Sequence, residues 1–124
     1  MPKTKVTTSL RYARGPVSVF LQERYIGGGV NDRDFVESNT RIPGAITIDD
    51  NSVDSVRYTD LTFNYRGGRS GDMPWETFLT VNNLLDEEPP DMWTVVGRAG
   101  VGGPNTLIYD TIGRRFTAGI RVNF

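Results

Sequence analysis

Two glycine runs and two acidic clusters are the residues of this sequence whose types and spacing could do chemistry. Gly27-Gly28-Gly29 and Gly97-Arg98-Ala99-Gly100-Val101-Gly102-Gly103 have the free backbone that phosphate cradles use. A phosphate loop also needs a Gly-Lys-Ser/Thr ending that opens a helix. Neither run has that ending, so loop flexibility is the better reading. Asp32, Asp34, Asp49, Asp50 and Asp54 form one acidic group, and Asp86, Glu87, Glu88 and Asp91 form the other. Oxygen-rich loops can hold Ca²⁺, but the EF-hand spacing is missing, and solvated loop charge is the better reading. A carboxylate pair can hydrolyse a glycoside, yet nothing here fixes two of them in one cleft. Cys and His are both absent. Their absence removes disulfides, thiolate chemistry, Cys/His zinc sites and any Ser–His or Cys–His nucleophile pair. The sequence therefore predicts a non-enzyme with no catalytic, cofactor-binding or metal-ligating set.

Five arginines remain: Arg24, Arg57, Arg66, Arg115 and Arg121. They alternate with apolar positions, which predicts that they turn toward a wet interior. There they meet an anionic ligand or another part of the protein, or pair across strands with Glu23, Asp60 or Glu76. The 14 Lys and Arg residues are balanced by 15 Asp and Glu. No basic excess exists to hold a phosphodiester backbone, so no nucleic-acid partner is expected.

Positioning these residues falls to strands. The 124 residues suit one domain, read here as spanning 1–124, and they are rich in Gly, Val, Thr, Tyr and Phe. Five segments alternate apolar and polar side chains: about 4–14, 16–26, 53–66, 74–84 and 113–124. The last is the cleanest. Phe116, Ala118, Ile120, Val122 and Phe124 share one face, and Arg115, Thr117, Gly119, Arg121 and Asn123 the other. Helical periodicity is missing over any useful length.

The connections alternate as well. Arg14-Gly15-Pro16 and the 67–72 turn are short, whereas 27–52 and 85–112 are long. Structureless loops beyond about 12–15 residues are uncommon in compact soluble domains. Outer-membrane barrels have this asymmetry, with short periplasmic turns and long external loops. Aromatics fit the same geometry. Tyr12, Tyr65, Trp75 and Phe124 fall near the short-turn rim, and Tyr25, Tyr58 and Phe116 near the other, as interfacial girdles do. The expected fold is thus all-β: an antiparallel up-and-down meander of about five strands, a segment of a large transmembrane β-barrel.

Two motifs carry a resemblance. Thr117, Gly119, Val122 and the final Phe124 match the pattern of the terminal strand that the barrel-assembly machinery reads. An edge strand with free backbone groups can add to another sheet's edge. Upstream, Asn83-Leu84-Leu85-Asp86 resembles the Asn-Leu-Phe-Asp element after the penultimate strand of TonB-dependent receptors, with Leu85 where Phe is usual. The segments 57–65 and 22–28 resemble the two strands before it, in the right order and spacing.

The resemblance implies the last five strands of a 22-stranded barrel around a plug. Residues 27–52 and 85–112 would be its last two external loops. It implies a place in the cell outer membrane of a Gram-negative bacterium, among outer-membrane lipid. The activity implied is energy-coupled uptake of a small molecule of the siderophore, cobalamin or oligosaccharide class. TonB would act through a plug not present in this chain. No cofactor follows from it. Two other readings stay open: a soluble β-sandwich or small-barrel binding module, and a small eight-stranded barrel.

Overall fold

The computed structural model describes residues 3–30, 33–38, 40, 42–48, 50–68, 73–90, 93–96, 99–103 and 106–124. It is all-β, with no helix among the described residues. Five long strands form one antiparallel sheet: β1 (Lys5–Arg14), β2 (Val17–Ile26), β7 (Val56–Gly67), β8 (Trp75–Asn82) and β11 (Arg115–Val122). They lie in sequence order, β1-β2-β7-β8-β11, and the sheet is open, with β1 and β11 as its edges.

The long strands form because apolar and β-branched residues alternate with polar ones over 8–12 positions. Their register sorts the side chains into two faces. Directly opposed residues across β11, β8 and β7 form the rows Phe116–Val81–Leu61, Ala118–Leu79–Phe63 and Ile120–Thr77–Tyr65, and then Val122–Trp75–Gly67. The intervening rows are polar: Thr117–Thr80–Thr62, Gly119–Phe78–Asn64 and Arg121–Glu76–Arg66. Because opposed residues point to the same side, one face is an apolar field and the other a polar one. Thr62 and Thr80 reinforce the polar side, their hydroxyl oxygens 3.2 Å apart. Trp75 lies against Gly67, where a Cβ would collide with its indole. Its ring also tilts against Tyr65 at 5.8 Å between centroids.

The short-turn end joins β1 to β2 through Gly15 at φ +57°, a conformation that glycine adopts without a Cβ penalty.

Two long connections differ from the sequence expectation. They are not structureless, because they contain short strand pairs. β3 (Gly29–Val30) pairs antiparallel with β6 (Ser52–Val53), and β4 (Phe35–Glu37) pairs parallel with β5 (Ile46–Ile48). In the second connection β9 (Trp93–Val96) and β10 (Ala99–Gly102) make an antiparallel hairpin. Two boundaries also move. The third long strand starts at Val56 and not at Val53, because 52–53 pair with β3. The fourth stops at Asn82 and not at Leu84, because Asn83 turns the backbone to φ +51°.

The chain divides into two compact units. One holds Val6–Arg24, Arg57–Glu87 and Ile112–Phe124, which is nearly all of the five-stranded sheet. The other holds Met1–Lys5, Tyr25–Val56 and Glu88–Thr111, and buries Ile26, Val53, Val56 and Tyr109.

Candidate functional site

The most highly built polar site lies at the end of β8, where the Asn83–Asp86 motif falls. Asn83 is fully buried, and a buried amide must find partners for its donors and acceptor. It finds them close by. Its backbone N–H donates to Asp60 Oδ1 at 2.9 Å, its Nδ2 donates to the Glu87 carbonyl at 2.9 Å, and its Oδ1 accepts from the Glu87 N–H at 2.8 Å. Its own carbonyl accepts from Asp86 N–H at 2.9 Å. Asn83 and Asp86 are the only non-glycine residues at positive φ among those described, +51° and +56°. Asn and Asp tolerate that region because their short polar side chains bond locally.

The left-handed turn shifts the β7–β8 ladder by one residue. Continued register would set Asn83 opposite Thr59, but Leu84 N–H donates to the Thr59 carbonyl, at 2.7 Å. Leu84 is half-buried, and Leu85 points out at 63% exposure. Asp86 then reaches the returning chain. Its Oδ1 accepts from Arg114 N–H at 2.9 Å, and its Oδ2 lies 3.6 Å from the guanidinium. Arg114 Nη1 donates to the Leu84 carbonyl at 3.4 Å. Gly113, at φ +81°, places its absent Cβ 3.2 Å from Asp86 Oδ1.

The terminal-strand residues sit on both faces of β11. Thr117 and Gly119 lie on the polar face, and Val122 lies opposite Trp75 on the apolar one. A Cβ on Gly119 would come within 2.7 Å of the Phe78 ring, so close packing requires glycine there. Phe124 is fully exposed. The ladder continues past the strand, since Asn123 N–H donates to the Pro74 carbonyl at 3.0 Å.

The arginines divide. Register places Arg66, Arg115 and Arg121 on the polar face, with Arg66 Nε 3.6 Å from Glu76 Oε2. Arg57 departs from the expectation. Alternation along β7 puts it on the side of Leu61 and Phe63, four residues earlier, and there it pairs with Glu23 at 3.3 Å. Its guanidinium is largely exposed, so the pair contributes under about 1 kcal/mol. Arg24 lies over the Tyr58 ring at 5.2 Å, a contact of about 0.5–1 kcal/mol or more as it desolvates.

The first glycine run has a different reason from loop freedom. A Cβ on Gly28 would lie 2.5 Å from the Val53 carbonyl oxygen, so Gly28 permits close approach of two backbones. Asp32, Asp49, Asp91, Gly97, Arg98 and the turn residues 69–72 lie outside the described residues. Among the described residues, no three His, Cys, Asp or Glu side chains gather as a metal cage. Asp50 is exposed, and hydrogen bonds from the Ser52 hydroxyl and amide hold its carboxyl below the usual value. Tyr109 is nearly fully buried, its hydroxyl has no hydrogen-bond partner among the described residues, and burial raises its pKa.

Gly113 and Arg114 complete the node around Asn83 without having been singled out by sequence, while Asp60 and Glu87, read there as an ion-pair partner and as solvated loop charge, join it by hydrogen bonds. Arg114 sits next to the candidate Arg115, and it is Arg114 that turns toward Asp86. Searches against protein-family models, curated proteins and solved structures each return no match.

Proposed function

We propose that this chain is the C-terminal part of the barrel of a TonB-dependent outer-membrane receptor. It would contribute the last five strands to a machine that takes up a scarce small molecule of the siderophore, cobalamin or oligosaccharide class. The observation that carries the reading is an apolar sheet face left open to its surroundings. Phe116 is 68% exposed, Ile120 73% and Leu79 43%. Phe63, Tyr65, Trp75 and Val122 of the same face are also exposed. Each large apolar side chain left in water forgoes about 1.5–3 kcal/mol of burial. A soluble sandwich would turn this field inward; lipid contact would satisfy it in place.

Three further features support the reading. Eight-residue strands span about 27 Å, and β11 with its Asn123–Pro74 extension matches an apolar band about 25 Å tall at barrel tilt. Arg57 and Glu23, which share the apolar side, lie away from its centre and are paired, where charge costs about 0–1 kcal/mol. Strand parity is the third feature. An antiparallel meander of five has edge strands running in the same direction, so β1 and β11 cannot join each other antiparallel. Closure needs an odd number of further strands, as a 22-stranded barrel would provide with about seventeen.

No catalytic role is assigned. The partners that follow are outer-membrane lipid, the barrel-assembly machinery at β11, and TonB acting through a plug. Size-exclusion chromatography of the 124-residue chain with and without detergent tests the reading. It predicts aggregation in buffer and a defined species in micelles. A sharp, cooperatively melting monomer in buffer alone would overturn it.

A further inference from the structure

The connection between β8 and β11 is too long to set how these strands pair. In a tight hairpin the turn type fixes register. Here residues 83–114 intervene. Closing a loop becomes only about 0.6 kcal/mol harder for each doubling of its length, so such a connection tolerates many registers almost equally. A one-residue slip would move Phe116 and Ile120 to the polar face. Something other than the loop must fix the pairing.

We infer that the Asn83–Asp86–Arg114 node is a collar that fixes the β8–β11 register by itself, leaving the 88–111 insertion exchangeable without loss of the sheet. The bonds that build the node run between residues 59, 60, 83, 84, 86, 87 and 114, so none of these bonds has a partner in 88–111. Asp86 takes both the main chain and the guanidinium of Arg114, which ties the start of the insertion to its return. Asn83 fixes Asp86 by accepting its N–H and by locking Glu87 through two reciprocal side-chain bonds. Asp60 and Thr59 anchor the turn to β7. The shape is specific, because three left-handed residues, Asn83, Asp86 and Gly113, occur within the neck. An independent feature agrees: all the collar residues belong to the same compact unit as the sheet, which the chain leaves after Glu87 and re-enters at Ile112.

The collar requires only the sheet, so it stands or falls apart from the membrane reading. Its test uses the full chain in whichever medium holds it folded, buffer or micelles. Amide exchange is read at Thr117, Gly119 and Arg121. Three variants are compared: residues 88–111 replaced by a short Gly/Ser linker, Asn83→Ala and Asn83→Gly. The glycine variant keeps the backbone at ease at φ +51° and removes only the side-chain bonds. The linker variant is expected to exchange within about twofold of the parent. Both Asn83 variants are expected to exchange roughly ten- to a hundredfold faster, as loss of buried hydrogen bonds dictates. Loss of protection in the linker variant would overturn the inference. So would retained protection in both Asn83 variants.

Discussion

The Phe78 ring lies across the backbone of Gly119, with two of its carbons 2.7 Å from where a Cβ would stand. The two residues are directly opposed on the polar face. Gly119 thus has a packing reason that is separate from any assembly signal. Gly119→Ala is expected to destabilise the sheet by about 1–3 kcal/mol, the usual cost of overpacking. Phe78→Leu in the same chain should restore part of that loss. Denaturant unfolding in micelles reads both; equal stability of parent and Gly119→Ala would show that the ring moves freely.

The phase of β11 follows from one hydrogen bond. Asn123 N–H donates to the Pro74 carbonyl, so 123 and 74 form a hydrogen-bonded pair. Such pairs alternate along an antiparallel ladder. Thr117, Gly119 and Arg121 therefore bond β8, while Phe116, Ala118, Ile120 and Val122 direct their N–H and C=O groups to the open edge. Proline is tolerated only where no ladder donor is lost. Thr117→Pro should cost at least about 1–1.5 kcal/mol more than Ala118→Pro in this chain. Amide exchange of β8 measures it, and equal damage would refute the phase.

Charge placement separates the faces. Leu79→Arg on the apolar face is expected to cost about 2–4 kcal/mol in a bilayer, against little for Thr80→Arg one residue along. Glu76→Gln, which breaks a partly exposed pair with Arg66, should cost about 1 kcal/mol or less. Unfolding of the three variants in lipid gives the comparison, and a Thr80→Arg penalty matching that of Leu79→Arg would count against a two-faced sheet.

Tyr109 contributes to the alkaline arm. Burial disfavours its phenolate and raises its pKa above the ordinary 10.0. The unfolded chain loses the proton first. The stability that this group contributes is therefore complete below about pH 10 and is lost as pH rises through the folded value. Its hydroxyl also lacks a hydrogen-bond partner among the described residues. Tyr109→Phe should be neutral or stabilising by about 1–2 kcal/mol at neutral pH and should flatten the alkaline loss. Denaturant titrations at about pH 7 and pH 11 check it; destabilisation at pH 7 would show that the hydroxyl has a partner after all.

Alternation made the long strands legible. Residues such as Phe116 and Arg121 report their own faces, because period-two patterning depends only on neighbours in sequence. Arg57 shows the limit. It alternates with Tyr58 as expected, but which side counts as polar is decided four residues further on, at Leu61. The short strands within 27–52 and 85–112 were not legible, since two to four residues carry no period. The node around Asn83 was visible as a motif but not as a structure. Glu87 is only four residues from Asn83, but Asp60 and Arg114 come from distant parts of the chain, and the β7–β8–β11 register brings them together.

The central claim is that the apolar face of the sheet contacts lipid while the other face is wet. The chain has no native cysteine, so single cysteines at positions 116, 117, 118, 120, 121 and 122 can each carry a spin label in the full chain held in micelles. Collision with oxygen and with a water-soluble nickel chelate should alternate with period two. Positions 116, 118, 120 and 122 are expected to be rich in oxygen contact and poor in nickel contact, and 117 and 121 the reverse. Alternation of opposite phase, or a uniform profile along β11, would contradict the account.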